Sequence, residues 1–101
     1  MSRTFVVRYE MQPGTADENQ RLVERVFAEL AEQQPAGLWY SCFWLADGVT
    51  FVHLGTIDGD DDVLGRTAAF QEFQKEFGER ASGKPVANGA SLVGSYGTPP
   101  R

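Results

Sequence analysis

The stretch of sequence that decides the fold reads LWYSCFWLA over residues 38–46, Asp47-Gly48, and VTFVHLGTI over residues 49–57. Both runs are rich in aromatic and β-branched residues, which favour β-strands. An Asp-Gly pair between two such runs is typical of a two-residue hairpin, whose type I′ turn needs positive φ at both central positions. We therefore predict a β-hairpin. Because both of its faces are apolar, each face must be covered in the folded protein.

The register of this hairpin follows from its turn. With a two-residue turn, residues whose numbers sum to 95 face each other, and one face carries three such pairs: Trp44 with Phe51, Cys42 with His53, and Tyr40 with Gly55. The opposite face, with Phe43, Leu45, Val52 and Leu54, is more purely hydrophobic, so we expect it to pack under helices. The first face then points away from the helices. Gly55 opposite Tyr40 leaves space for a ligand or a large aromatic ring.

The flanking sequence predicts two further strands and two helices. Residues 4–12 alternate as a first strand that ends at Pro13-Gly14. Thr15, with Glu18 three residues on, predicts a capping box at the start of a helix that stops before Pro35. A second helix is predicted over residues 66–81, with a core stripe of Phe70, Phe73 and Phe77. The last strand is predicted over residues 90–96, followed by a disordered tail over 98–101.

The resulting order, β-α-β-β-α-β, is the ferredoxin-like α+β arrangement, a four-stranded antiparallel sheet with two helices on one face. The 101 residues make one domain, 1–101. The second strand lies at a sheet edge and has neither charge nor proline, so a partner must protect it. We predict a homodimer in which two sheets meet face to face as a barrel and the helices lie outside.

Composition excludes several classes of partner. The chain has a net charge of −5 and no cluster of Lys or Arg, so we expect neither nucleic acid nor an anionic membrane as a partner. No apolar run approaches the roughly 18–20 residues of a membrane span, and one cysteine forms no intrachain disulfide. We expect a soluble cytoplasmic protein. The acidic loop 58–62 has Val63 and Ala69 where a calcium loop has Gly and Glu, so no metal is expected.

Several short motifs resemble a known family. The strand ending in Gln12-Pro13-Gly14, the start of the second strand at residues 37–40 (Gly-Leu-Trp-Tyr) and the third strand at residues 51–54 (Phe-Val-His-Leu) are similar to the antibiotic-biosynthesis-monooxygenase-like group of dimeric α+β barrel proteins. The resemblance covers residues 4–97. It implies a dimeric barrel with a pocket in each protomer. Some members oxygenate polycyclic aromatics or quinols with neither metal nor flavin, and others degrade haem.

The chain departs from parts of that family pattern. Haem-degrading members typically use a helical His with an Asn and a Trp, whereas the only His of this chain lies in a strand, which disfavours haem degradation. Many members also carry a Glu and a Trp late in the third strand, where this chain has Gly55 and Ile57.

The resemblance and the hairpin together predict a candidate site without a cofactor. His53, Arg8 and Tyr40 are the catalytic candidates, because a His exchanges protons near its usual pKa of about 6.5 and Arg8 or Tyr40 would stabilise an enolate or phenolate. Arg8 is expected to reach this group through an inward face of Val6, Arg8 and Glu10. Trp44, Phe51 and Cys42 are the substrate-binding candidates for a small planar aromatic.

The sequence leaves the activity open. The leading interpretation, which rests mainly on the resemblance, is a small monooxygenase-like protein that oxygenates a small planar aromatic or quinol in secondary metabolism. His53 also fits an interior histidine, so the alternative is a non-catalytic ligand-binding or structural homodimer, and whether the chain is an enzyme is undecided. Cys42 beside His53 could be a nucleophile, but no third group is in place to orient the pair. A cavity of roughly 300 Å³ or more that touches His53 or Arg8 would favour ligand handling.

Overall fold

The computed structural model describes residues 2–59 and 62–97, and its elements follow the order β1 (Ser2–Glu10), α1 (Ala16–Gln33), β2 (Leu38–Trp44), β3 (Thr50–Asp58), α2 (Ala68–Gln74), α3 (Phe77–Arg80) and β4 (Val86–Ala90). The four strands form one antiparallel sheet in the order β2-β3-β1-β4. This confirms the ferredoxin-like fold, with β2 at an edge. Asp60 and Asp61 of the acidic loop and the predicted tail 98–101 lie outside the described residues.

The hairpin has the predicted register but a different turn. Trp44 pairs with Phe51, and every further pair along β2 and β3 keeps the sum of 95. The type I′ turn is wrong, because Gly48 has a φ of 82° whereas Asp47 is not in the positive-φ region. The Asp47 carboxylate instead accepts hydrogen bonds from the backbone N–H groups of Val49 (3.0 Å) and Thr50 (2.9 Å) and from the Thr50 hydroxyl (2.5 Å). The side chain of Asp47 therefore shapes a wider loop.

The start of α1 also differs from the prediction. Thr15 is the N-cap residue, but its side chain makes no capping hydrogen bond, so the predicted capping box is wrong. Its hydroxyl donates instead to the carbonyl oxygens of Gln12 (2.8 Å) and Arg80 (3.0 Å). Thr15 thus ties the start of α1 to the end of α3, and a tertiary contact replaces the local one.

The second predicted helix is broken into α2 and α3. Thr67 caps α2 by accepting from the Phe70 N–H at 3.2 Å, and Glu76 interrupts the helix with a φ of 60°. Arg80, only 5% exposed, donates to the carbonyl oxygens of Phe73 (2.6 Å) and Lys75 (3.1 Å). The prediction of one continuous helix is wrong because Arg80 satisfies carbonyl groups at the end of α2.

The last strand lies earlier than predicted. β4 pairs with β1 from Val86 opposite Arg8 to Ala90 opposite Thr4, and only Ser2 and Arg3 of β1 extend beyond that point. Residues 91–97 are therefore not a strand, and the side chains of Leu92, Val93 and Tyr96 are exposed.

The face that packs under the helices is the opposite of the predicted one. The Tyr40 ring stacks on Phe27 of α1, with centroids 4.8 Å apart and planes at 8°, and the His53 ring lies 5.7 Å from the Phe73 ring of α2. The face of Tyr40 and His53 is therefore the covered one. The alternation of the strands places three hairpin side chains on the opposite, open face of the sheet: Phe43, Val52 and Leu54. Val6 and Arg8 share that open face.

Candidate functional site

His53 occupies the centre of the covered sheet face and is 4% exposed. The Tyr9 hydroxyl on β1 lies 2.7 Å from Nε2 of His53, and the Tyr40 hydroxyl on β2 is hydrogen-bonded to Nδ1. Both tyrosines reach His53 diagonally, because the residues directly paired with it are Val7 and Cys42. The two neighbouring strands thus hold the imidazole by both ring nitrogens.

A helix residue extends this group into a chain of hydrogen bonds. Asn19 of α1 is fully buried, and its Nδ2 donates to the Tyr9 hydroxyl at 2.9 Å. Its Oδ1 has no hydrogen-bond partner among the described residues. Cys42 Sγ lies 3.5 Å from Nε2 of His53. Asn19, Tyr9, His53 and Tyr40 therefore connect α1 to the middle of the sheet through buried polar atoms.

Burial sets the protonation states of the side chains in this hydrogen-bonded group. It lowers the pKa of His53 from 6.5 to about 4, so the imidazole is neutral at pH 7. It raises the pKa of the Tyr40 hydroxyl and of the Tyr9 hydroxyl, and the hydrogen bond from Asn19 offsets only part of the rise at Tyr9. Burial also raises the pKa of Cys42 to about 12, which keeps the thiol protonated and removes support for a Cys42 nucleophile.

A cavity of about 360 Å³ lies between the sheet and the helices α2 and α3 and contacts the hydrogen-bonded side chains around His53. Tyr9, Tyr40 and His53 form its polar wall, and the remaining lining is mostly apolar and aromatic: Phe5, Val7, Leu64, Phe70, Phe73, Gln74, Phe77 and Pro85. An apolar cavity of this size with a few convergent polar groups is typical of small-molecule sites. The cavity is larger than about 300 Å³ and contacts His53, and both features favour ligand handling.

The structure brings together some of the predicted site residues and separates others. His53 and Tyr40 line this cavity, and Cys42 contacts His53. Trp44 and Phe51 stack on each other at 5.3 Å and, with Cys42, line a second cavity of about 370 Å³ between α1 and β2. Arg8 does not join His53, because it is exposed on the opposite sheet face, where it pairs with Val52.

Two residues of the hydrogen-bonded chain were missed by the sequence analysis. Tyr9 was assigned to the face opposite the one predicted to point inward. Asn19 lies four residues before the buried Val23, which lies three residues before the buried Val26, so all three share one face of α1. A polar residue at such a position needs a buried partner, and that spacing was the available signal.

Across residues 2–59 and 62–97, no helix combines the length and the apolar character that crossing a membrane requires. In the same ranges, His, Cys, Asp and Glu side chains do not come together in groups of three or more that could hold a metal ion.

Comparison with known proteins shows the fold. Neither a family model nor a curated protein sequence matches the chain. Among solved structures, Rv0793 from Mycobacterium tuberculosis superimposes with a TM-score of 0.77 at 12% identity, covering 96% of this chain and 100% of that one. A protein from Caulobacter crescentus named "putative antibiotic biosynthesis monooxygenase" superimposes with a TM-score of 0.75 at 20% identity, covering 92% and 91%. One of the same name from Nitrosomonas europaea reaches 0.76 at 12% identity, covering 95% and 94%.

These structures confirm the resemblance drawn from the sequence at the level of the fold. The chain is a ferredoxin-like α+β protein with the fold of solved proteins named for antibiotic biosynthesis monooxygenases.

Proposed function

We propose that the cavity beside His53 binds a small planar aromatic or quinol, and that the chain acts as a monooxygenase-like protein that oxygenates this molecule without a cofactor. The observation that carries the proposal is the neutral, buried His53 held between two tyrosine hydroxyls in the wall of a 360 Å³ aromatic cavity. The solved structures named for monooxygenases add support through their shared fold.

The proposed reaction begins with removal of a proton from the substrate. Because the hydroxyls of Tyr9 and Tyr40 are hydrogen-bonded to the two ring nitrogens of His53, the proton reaches His53 through one of these hydroxyls. One of the two hydroxyls also stabilises the substrate anion. The anion then donates an electron to dioxygen, and a carbon–oxygen bond forms. For a ring CH₂ group oxidised to a carbonyl, the substrate supplies all four electrons, one oxygen atom stays in the product and the other leaves as water.

The pKa of His53 bears on how strong a base it is. With a pKa of about 4, the imidazole of His53 is unprotonated at neutral pH, but it is a weak base. An anion in the cavity favours the imidazolium, so the pKa of His53 rises when the substrate ionises. The same low pKa favours a second candidate function, a ligand-binding protein without catalysis, because a weak base holds a phenol through hydrogen bonds without ionising it.

Oxygen consumption with a panel of anthrones and quinols tests the proposal, alongside binding of the same compounds by calorimetry. We expect binding and oxygen uptake in the wild type, and a loss of uptake in His53→Ala. Arg66→Gln changes an exposed residue and serves as the control. Binding without uptake would favour the second candidate. Uptake that persists in His53→Ala would remove the proton-transfer role, and the absence of binding would remove both functions.

The proposal includes a homodimer that covers the open sheet face. Phe43 is 41% exposed there, and Val6, Val52 and Leu54 are only partly buried. Residues 91–97 add further exposed apolar side chains, with Leu92 74% exposed. Contiguous exposed apolar surface marks an interaction site, and an identical sheet offers a matching surface to this face.

A further inference from the structure

The Asn19 amide favours one direction for the hydrogen-bonded chain that runs from Asn19 to Tyr40. The Tyr9 oxygen accepts from Asn19 Nδ2, so the one proton of the Tyr9 hydroxyl is free to be donated to Nε2 of His53. Nε2 is then the unprotonated nitrogen. The hydrogen of the neutral imidazole lies on Nδ1, which donates it to the Tyr40 oxygen.

The opposite direction breaks the run of hydrogen bonds at Tyr9. If Nε2 carried the hydrogen, both it and Asn19 would donate to the Tyr9 oxygen, and the proton of Tyr9 would be left to be donated into the cavity, which Tyr9 also lines. With hydrogen on Nδ1, the bonds from Asn19 through Tyr9 and His53 to Tyr40 all run in one direction, and the proton of Tyr40 is left to be donated into the cavity. Hydrogen bonds that run in one direction polarise and strengthen one another, which favours this arrangement.

We propose that Asn19 is a positioning residue that fixes the hydrogen of His53 on Nδ1 and thereby gives the two tyrosines different roles. Tyr9 relays a proton to His53, and Tyr40 donates a hydrogen bond to an oxygen of the ligand. The assignment of the hydrogen stands by itself, whereas the two roles toward a ligand rest on the proposed function.

The roles define the substrate more closely and balance the proton transfer. A substrate hydroxyl donates its proton to the Tyr9 oxygen as Tyr9 passes its own proton to Nε2, so His53 becomes an imidazolium with hydrogen on both nitrogens. The negative charge remains on the substrate, where a carbonyl or phenolate oxygen accepts the hydrogen bond of Tyr40. The ligand is therefore a planar aromatic that carries such an oxygen, not a bare hydrocarbon.

The position of the hydrogen can be measured directly because His53 is the only histidine of the chain. Long-range ¹H–¹⁵N correlation spectra of the uniformly ¹⁵N-labelled protein at pH 7 distinguish a protonated from an unprotonated ring nitrogen. We expect Nδ1 to have the shift of a protonated nitrogen and Nε2 that of an unprotonated one. The reverse pattern overturns the inference.

Substitution of Asn19 tests its positioning role. In Asn19→Asp a carboxylate accepts the Tyr9 proton, so we expect the chain to reverse and the hydrogen to move to Nε2. Gln20→Glu makes the same amide-to-carboxylate change at the next, exposed residue and should leave the hydrogen on Nδ1. Asn19→Leu is the second variant should a buried carboxylate prevent folding, and it should give shifts averaged between the two forms. If neither Asn19 variant alters the wild-type pattern, Asn19 does not position His53.

Two ligand probes separate this inference from the proposed function. We expect Tyr40→Phe to weaken binding of p-nitrophenolate about tenfold, the loss of one hydrogen bond to a charged oxygen, with little change for naphthalene, which has no oxygen. Equal losses for both probes would remove the role of Tyr40. Hydrogen on Nδ1 without oxygen uptake supports the Asn19 inference and refutes catalysis, whereas oxygen uptake with hydrogen on Nε2 does the reverse.

Discussion

The ring of Phe5 occupies the space that a side chain at Gly55 would fill. The two residues pair directly across β1 and β3, and an ideal Cβ at Gly55 would lie 2.6 Å from Cε2 of Phe5 and closer still to Cζ. The same Phe5 ring lies 6.1 Å from the Tyr40 ring and lines the cavity beside His53. Because Gly55 has no side chain, the Phe5 ring can lie there and form one wall of the candidate site.

We expect Gly55→Ala to destabilise the protein by about 1–3 kcal/mol, the usual cost of forcing a methyl group into a packed site. Gly89→Ala on β4 is the matched control, because nothing lies within 4 Å of its added Cβ. Urea unfolding measures both. In the double variant with Phe5→Leu the smaller side chain should relieve the clash, so the two effects should couple by at least about 0.5 kcal/mol. Purely additive effects would contradict the account of this pair.

The register of the hairpin was predictable because it depends on local sequence, whereas the choice of face was not. Counting apolar residues favoured the face of Phe43, Val52 and Leu54 for the helices. The structure buries the face with Tyr40 and His53, whose polar atoms bond to one another and so need no solvent. That compensation joins residues from three strands and a helix, and no pattern within the hairpin reveals it.

The candidate site was predictable to the same extent as the hairpin. His53 and Tyr40 were predicted together because both lie on the hairpin. Arg8 was wrongly grouped with them, because the pairing of β1 with β3 decides which β1 residues share their face, and that pairing joins segments far apart in the sequence. The break between α2 and α3 was hidden for a similar reason. Its main support, Arg80, reads in the sequence as one more charged residue on a helix.

Arg80 should be a major stabilising residue although it carries a buried charge. Its guanidinium donates to Phe73 and Lys75 and lies 5.7 Å from the Phe73 ring centroid. We expect Arg80→Met to lower the free energy of unfolding by about 2–3 kcal/mol, because the two carbonyl groups lose their donor. Thermal unfolding of Arg66→Met, a change at an exposed residue, provides the comparison and should stay within about 0.5 kcal/mol of the wild type.

The stability of the protein should fall as the pH drops through the range between the two pKa values of His53. The folded pKa of about 4 lies below the ordinary value of 6.5, so between these values the unfolded chain binds a proton that the folded chain does not. Stability from this group is complete above about pH 6.5 and is lost as the pH approaches 4. The shift corresponds to on the order of 3 kcal/mol.

Chemical denaturation at pH 7, 6, 5 and 4 measures this dependence, and His53→Gln provides the reference because an amide does not titrate. We expect the difference in stability between the wild type and His53→Gln to shrink steadily on acidification. A difference that stays constant across this range would show that His53 titrates alike in the folded and unfolded chains. Asp47 does not interfere, since the hydrogen bond from the Thr50 hydroxyl lowers its pKa below the usual value of a carboxyl group.

The proposed homodimer predicts that charge on the open sheet face breaks the assembly without unfolding the subunit. Leu54 is partly buried on that face, opposite Ser41 of β2 and Val6 of β1. In Leu54→Lys an ammonium group would meet the apolar surface of a second sheet, and burying an unpaired charge costs several kcal/mol. The same residue in the isolated subunit borders solvent, so the variant should stay folded.

Light scattering coupled to size exclusion at micromolar concentration should therefore report a dimer for the wild type and a monomer for Leu54→Lys. Glu72→Lys places the same side chain on an exposed position of α2 and should leave the dimer intact, because the helices lie on the other side of the sheet. A chain shortened to end at Ala90 should also lose dimer, since it lacks the exposed Leu92, Val93 and Tyr96. A wild type that is monomeric at this concentration would show that water, not a second sheet, covers the apolar face, and the barrel would then have to be abandoned.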